Sequence, residues 1–263
     1  MFTIYRHELR QYIKSMLIWF AGVSGMGLIC ILMFGDMKSE IDSMAETFSS
    51  MGAFSNAFGM DKLSIATLSG FYATEVGLIH SLGGAMFAAM IACSALSKEE
   101  EGHTGEFLFS LPVGKAKVIG AKWLAVFTNI VVFNLLCIAV YCVGFAVSGE
   151  SVPAKEFALF HAMQLFMHTQ IGAMCFAVSA CSKRNRIGVG LGAALLLYAF
   201  DTVARILPDL ADYKFISPFS YSNASDIFSS GEVYTKGALL GAALLVISLA
   251  AAFGVYSKRD LAS

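Results

Sequence analysis

Three groups of residues in this chain have types and spacings that could do chemistry. The first is an acidic run, Glu99, Glu100 and Glu101, continued by Gly102, His103, Thr104, Gly105 and Glu106 and closed by Leu108, Leu111 and Pro112. Carboxylates at the start of a helix suit its dipole and a proline ends it, so the run predicts a short helix over Glu99 to Pro112. Such a helix offers a soluble partner a charged grip. The second group is a stripe in an otherwise apolar stretch: His161, Gln164 and His168, followed by Gly172, Cys175 and Ser179, share one helical face. That face must meet protein or water rather than lipid, either as interhelical hydrogen bonding or as the lining of a substrate path. The third is Asp201 and Arg205, four residues apart, where opposite charges meet on a helix. Each alone costs roughly 2.5–3.5 kcal/mol near a bilayer centre, so the spacing predicts a pair, structural or part of a gate, with Glu75 as a further partner for Arg205.

The motifs of catalysis are missing around these groups. The sequence has no H-E-x-x-H, and Gly22-Val-Ser-Gly-Met fails G-x-S-x-G at its last position. Gly114-Lys115 is followed by alanine, so no phosphate-binding G-K-[ST] loop exists there. The six cysteines lie in or beside apolar stretches without a C-x-x-C pair and read as small reduced core residues.

The elements that must position these groups are membrane helices. Of 263 residues, 57% are hydrophobic and 14% charged, with a mean hydropathy of +0.69, against about 25% charged residues in a soluble domain. Eighteen basic and nineteen acidic residues give a net charge of −1, which provides no field for nucleic acid. Six segments reach the roughly 20 residues that cross a bilayer: Met16 to Phe34, Val76 to Leu96, Trp123 to Val147, Phe157 to Cys181, Ile187 to Leu207 and Gly237 to Tyr256. The expected fold is an all-α integral membrane protein with one transmembrane domain. Lys and Arg concentrate on the connections that share a side with the amino terminus, which places both termini in the cytoplasm. Residues 1–15 carry Phe2, Tyr5, Leu9, Tyr12 and Met16 on one face and Arg6, Arg10 and Lys14 on another, predicting a separate interfacial helix. Met37, Ile41, Met44, Phe48 and Met51 predict a short amphipathic helix outside, and residues 208–235 predict short helices dipping into the outer leaflet.

The stretch Ser-Lys-Glu-Glu-Glu-Gly-His-Thr-Gly-Glu-Phe-Leu-Phe-Ser-Leu-Pro-Val resembles the signature of type-2 ABC transporter permeases. Glu101, Gly102, Thr104, Glu106, Leu108, Leu111, Pro112, Val113 and Lys122 take the parts of that pattern, with His103 and Gly105 loosening its spacing. Ile216 to Tyr221 is similar to the family's external re-entrant region, here 208–235, and the likeness runs along nearly the whole chain. It implies a permease half, most often of an exporter, that pairs with an identical or different second permease subunit. Two copies of a separate ATP-binding subunit would dock on the coupling loop 97–117 and hold ATP and magnesium, while this chain binds no cofactor and hydrolyses nothing. The expected location is a bacterial cell membrane. Two other classes compete: an ion-coupled secondary transporter, for which only Asp201 is a candidate intramembrane acid, and a membrane-embedded enzyme, for which only the histidines of the fourth span remain.

Overall fold

A computed structural model describes residues 1–104, 113–149 and 151–259 of the chain. Among them there is no strand. Five helices are long and apolar enough to cross a membrane: α1 (Phe2–Asp36), α4 (Leu68–Ser94), α6 (Lys115–Ser148), α8 (Ile187–Ile206) and α11 (Thr235–Lys258). Between them lie α2 (Lys38–Ser49) and α3 (Ala53–Phe58), then α5 (Ser97–Glu101), α7 (Ala154–Cys181), α9 (Pro208–Ala211) and α10 (Ala224–Ser230). The remaining expected span, Phe157 to Cys181, corresponds to α7. Its 28 residues exceed the length a crossing needs, but His161, Gln164, His168, Thr169 and Gln170 make it less apolar than the other five.

The amino-terminal fifteen residues are not a separate interfacial helix, contrary to expectation. They are the first turns of α1, which runs 35 residues without a break. No proline or glycine occurs before Gly22 to end the helix, and the amphipathic pattern instead turns Glu8, Tyr12 and Met16 into the protein. Helix α4 begins eight residues before the expected Val76. Thr67 caps it, its Oγ1 accepting the Gly70 amide at 3.1 Å, and a π-helical stretch over Tyr72–Val76 follows. The proposed acidic helix is likewise shorter than expected in its described part. It stops at Glu101, and the turn after it holds His103 at φ 53°, a left-handed conformation rare outside glycine.

Helices α4 and α7 form the centre of the bundle, α1 packs along α6, and α7 also packs against α11. Burial follows that order. In the most apolar eighteen residues of each helix, 67% are buried in α4 but 11% in α11, leaving the outer faces of α11 and α8 apolar and exposed. At the end opposite α5, two 3₁₀ turns, Lys214–Ile216 and Pro218–Ser220, lead into α10. This segment is a folded cover: Phe219, Tyr221, Ile227 and Phe228 are buried, and the Ser217 hydroxyl donates to the Leu197 carbonyl at 2.8 Å.

Candidate functional site

The charged residues form two clusters, one at each end of the bundle. At the end carrying α5, here the lower end, Lys122 has no solvent exposure and stands between two carboxylates, Glu8 at 2.6 Å and Glu99 at 2.7 Å. Glu8 also receives Lys98 at 2.6 Å, and the Lys98 ammonium lies 4.8 Å from the centre of the Tyr12 ring. The cluster therefore joins α1, α5 and α6 through side chains far apart in sequence. Burial pushes the Glu99 carboxyl up, but Lys122 beside it outweighs that, and Glu99 is held below the usual carboxylate range.

The other two glutamates are bound in the same way. Glu100 Oε2 accepts from Arg259 at 3.0 Å, and Arg259 donates in turn to the carbonyls of Ala180 at 2.8 Å and Ser182 at 3.1 Å. That places a cation on the carbonyl end of α7, where the helix dipole favours it. Glu101 accepts the Asn185 amide at 3.0 Å. The start of α5 is fixed by Ser179, whose hydroxyl accepts the amides of Leu96 and Ser97, both at 3.0 Å. The acidic run thus anchors its own segment to α1, α6, α7, the loop before α8 and the end of α11. Gly102, His103 and Thr104 remain exposed, whereas Glu106, Leu108, Leu111 and Pro112 lie outside the described residues.

The stripe on α7 is buried throughout and is bonded to the protein itself. His161 Nε2 is 2.8 Å from the Tyr72 hydroxyl, and Gln164 donates to the Ser222 carbonyl at 2.7 Å. His168 is held at both ring nitrogens, 3.1 Å from Asn134 Oδ1 and 3.2 Å from the Ser81 carbonyl. Asn134 Oδ1 also lies 3.2 Å from His80 Nε2. The His80 and His161 rings are 5.0 Å apart edge to face, so three histidines from two helices form one core with Tyr72 and Tyr141. His80 and Asn134 are isolated polar residues in sequence; only the packing of α4 and α6 on α7 joins them to the stripe. Small neighbours make room for it. A Cβ on Gly84 would stand 2.1 Å from His168 Cε1.

At the upper end Asp201 and Arg205 pair as their spacing predicts, at 2.8 Å. The additional partner is Asp226 of α10, not Glu75: Arg205 Nη1 donates to Asp226 at 2.9 Å, and Lys62 bonds to Asp226 from the loop before α4. Burial raises Asp226, but Arg205 and Lys62 outweigh it and hold its carboxyl below the usual range. Asp226 has a local reason to be there, since the Asn223 side chain caps α10 through the Asp226 amide at 3.1 Å. Arg205 consequently ties the end of α8 to the cover at the upper end.

Long apolar helices around a hydrogen-bonded polar core, with ion-pair clusters confined to the two ends, define a multi-pass membrane protein of the transport type. Residues 2–261 match the family model described as ABC-2 family transporter protein. The chain belongs to the ABC-2 transporter permease family and is a membrane permease subunit of an ABC transporter, a transport rather than a catalytic subunit. The family implies association with ABC ATP-binding subunits. No curated protein matches the chain.

Proposed function

We propose that this chain is one half of an exporter in a bacterial cell membrane, working as a dimer with a second permease subunit, identical or different. Two separate ATP-binding subunits dock on the loop 97–117 from the cytoplasm, hold ATP and magnesium, and close on nucleotide binding. This chain contributes the path and no cofactor. Helix α7 completes a set of six spans as the fourth in chain order, its polar face shielded from lipid by α4, α6 and α11, so both termini share one side, which we take as the cytoplasm. The positive residues of that side support this orientation.

The observation that carries the reading is the anchoring of residues 97–104. A docking loop must pass a push to several helices at once, and here each glutamate of the run binds a different element. The roles follow from this. Glu99, Glu100 and Glu101 fix the segment to the bundle, Gly102 and Thr104 shape the turn, and Glu106, Leu108, Leu111 and Pro112 present the face that meets the ATP-binding subunit. His161, Gln164, His168, Asp201 and Arg205 serve as polar joints that let the path switch.

The test is copurification of the full chain from its native membrane in mild detergent, with mass spectrometry of what accompanies it. An ATP-binding subunit is expected with the native chain and lost when Glu106, Leu108 and Leu111 are replaced by serine, at an unchanged melting temperature. Finding no ATP-binding subunit under several gentle conditions would overturn docking on this loop.

A further inference from the structure

A cavity of about 40 Å³ lies between α4, α8 and the external cover, with Thr74, Ser81, Asp201, Thr202, Ser222 and Ser225 among its walls. It is large enough for roughly three water-sized spheres. The hydroxyl protons of those walls are already committed. Thr74 donates to the Gly70 carbonyl at 3.0 Å, Ser81 to Gly77 at 2.6 Å, and Thr202 to Tyr198 at 3.1 Å. Ser225 donates to the Phe58 carbonyl at 3.3 Å and Ser222 to that of Pro218 at 3.1 Å. A hydroxyl whose single proton is spent can offer only lone pairs elsewhere.

Asp201 adds a stronger acceptor. It is 3% exposed, and while its Oδ2 takes Arg205, its Oδ1 has no hydrogen-bond partner. An unmet buried carboxylate oxygen is costly, so a ligand there gains by meeting it. Charge narrows the choice. Asp226 has Lys62 as well as Arg205 and Asp201 has Arg205, so the four charges balance; the Lys62 side chain, 41% exposed at the rim, is the one screened by water, which leaves the buried part of the set short of positive charge.

We propose that this cavity binds one small monovalent cation, of sodium size, held by Asp201 Oδ1 and the surrounding hydroxyl oxygens. Hard oxygen donors suit an alkali ion and not a soft transition metal. Every charge added to a low-dielectric layer is costly, so a monovalent ion is favoured there over a divalent one. Bound there, the cation clamps α4 and α8 to the external cover. The site stands whether or not residues 97–117 dock an ATP-binding subunit.

The test is the thermal unfolding of the purified full chain in detergent at neutral pH, titrated with sodium, lithium or potassium chloride, with choline chloride holding ionic strength constant. A saturable rise in melting temperature with sodium, larger than with potassium or choline, is expected. Asp201→Asn should weaken the apparent affinity at least about tenfold. Because that change also disturbs Arg205, Thr202→Val is the second variant; it keeps the ion pair and should weaken binding about threefold, the loss of one oxygen ligand. Equal responses to all salts would mean that the cavity holds only water, and an unaltered sodium response in both variants would place the ion elsewhere. Either result overturns the proposal, as does a response that follows pH and not sodium.

Discussion

Replacing Lys122 by methionine removes the centre of the lower charge cluster while roughly keeping its volume. The ammonium has no exposure and makes two ion pairs, at 2.6 and 2.7 Å; two unit charges about 4 Å apart attract by about 4 kcal/mol at an effective dielectric of 20. Much of that attraction offsets the cost of burying the charges, so the quantity to expect is the cost of leaving carboxylates without their cation. That is about 3–5 kcal/mol. Glu8 keeps Lys98 and Glu99 is 15% exposed, which favours the lower figure. At roughly 2–4 °C per kcal/mol for a chain of this size, the melting temperature should fall by about 6–12 °C, from 3 kcal/mol. The assay is thermal unfolding of the detergent-purified protein. The companion variant replaces Glu8 and Glu99 by glutamine together with Lys122→Met and should recover most of the loss, since the one charge that then loses its counter-ion, Lys98, is 22% exposed and keeps its bond to Gln11. The reasoning fails if the single variant melts within about 2 °C of the native chain, or if the triple variant melts no higher than the single one.

Glu99 gives the same cluster a pH signature. Because its carboxyl is held below the usual range, its contribution is fully present above the unfolded value of about 4.3 and is lost as pH falls through the depressed folded value; melting curves of the native chain and Glu99→Gln should differ at neutral pH and converge in acid. Gly84→Ala puts a methyl carbon against the His168 ring, and overpacking of this kind costs about 1–3 kcal/mol; a melting temperature equal to that of the native chain would show that His168 can move aside freely. Glu101 is exposed yet accepts the Asn185 amide ahead of α8. Glu101→Ala should therefore change stability by no more than about 0.5 kcal/mol while lowering the ATPase activity of the copurified complex, and unchanged activity would separate this contact from transmission.

How much of this was legible in the sequence depends on the distance over which each signal acts. Five of the six expected spans are, because hydropathy is a local sum, and so is the Asp201–Arg205 pair, because its partners are one helical turn apart. The stripe on α7 was correctly expected to avoid lipid. Its partners were not legible: His80, Asn134 and Tyr72 come from α4 and α6, and nothing near them in the chain says they meet His161 and His168. Lys122 and Glu8 are 114 positions apart, and Asp226 reaches Arg205 only because α10 folds back over α8. The misreading of residues 1–15 has a different cause. An amphipathic stripe with a basic face has one periodicity whether the helix lies flat on a leaflet or continues into a span, and the deciding fact is that Glu8 binds the buried Lys122 and the half-buried Lys98.

These contacts divide the bundle into unequal parts. At the lower end Glu99 engages α6 through Lys122, and Lys122 in turn binds Glu8 of α1; Glu100 holds Arg259 after α11, and Ser179 of α7 binds the start of α5. Displacing residues 97–104 therefore loads four long helices together. Helix α8 is different. Among the described residues its hydrogen-bonded link to that segment is the Asn185 amide just ahead of it, whereas at the upper end its Arg205 binds Asp226 of α10. A ligated charge in low dielectric resists separation far more than one exposed amide bond does. If residues 97–104 are pushed as proposed, α1, α6, α7 and α11 should thus move as a body while α8 lags with the cover at the upper end. The shear should then fall on the α4–α8 contact, where Gly190 sits against Cys93 with no room for a side chain.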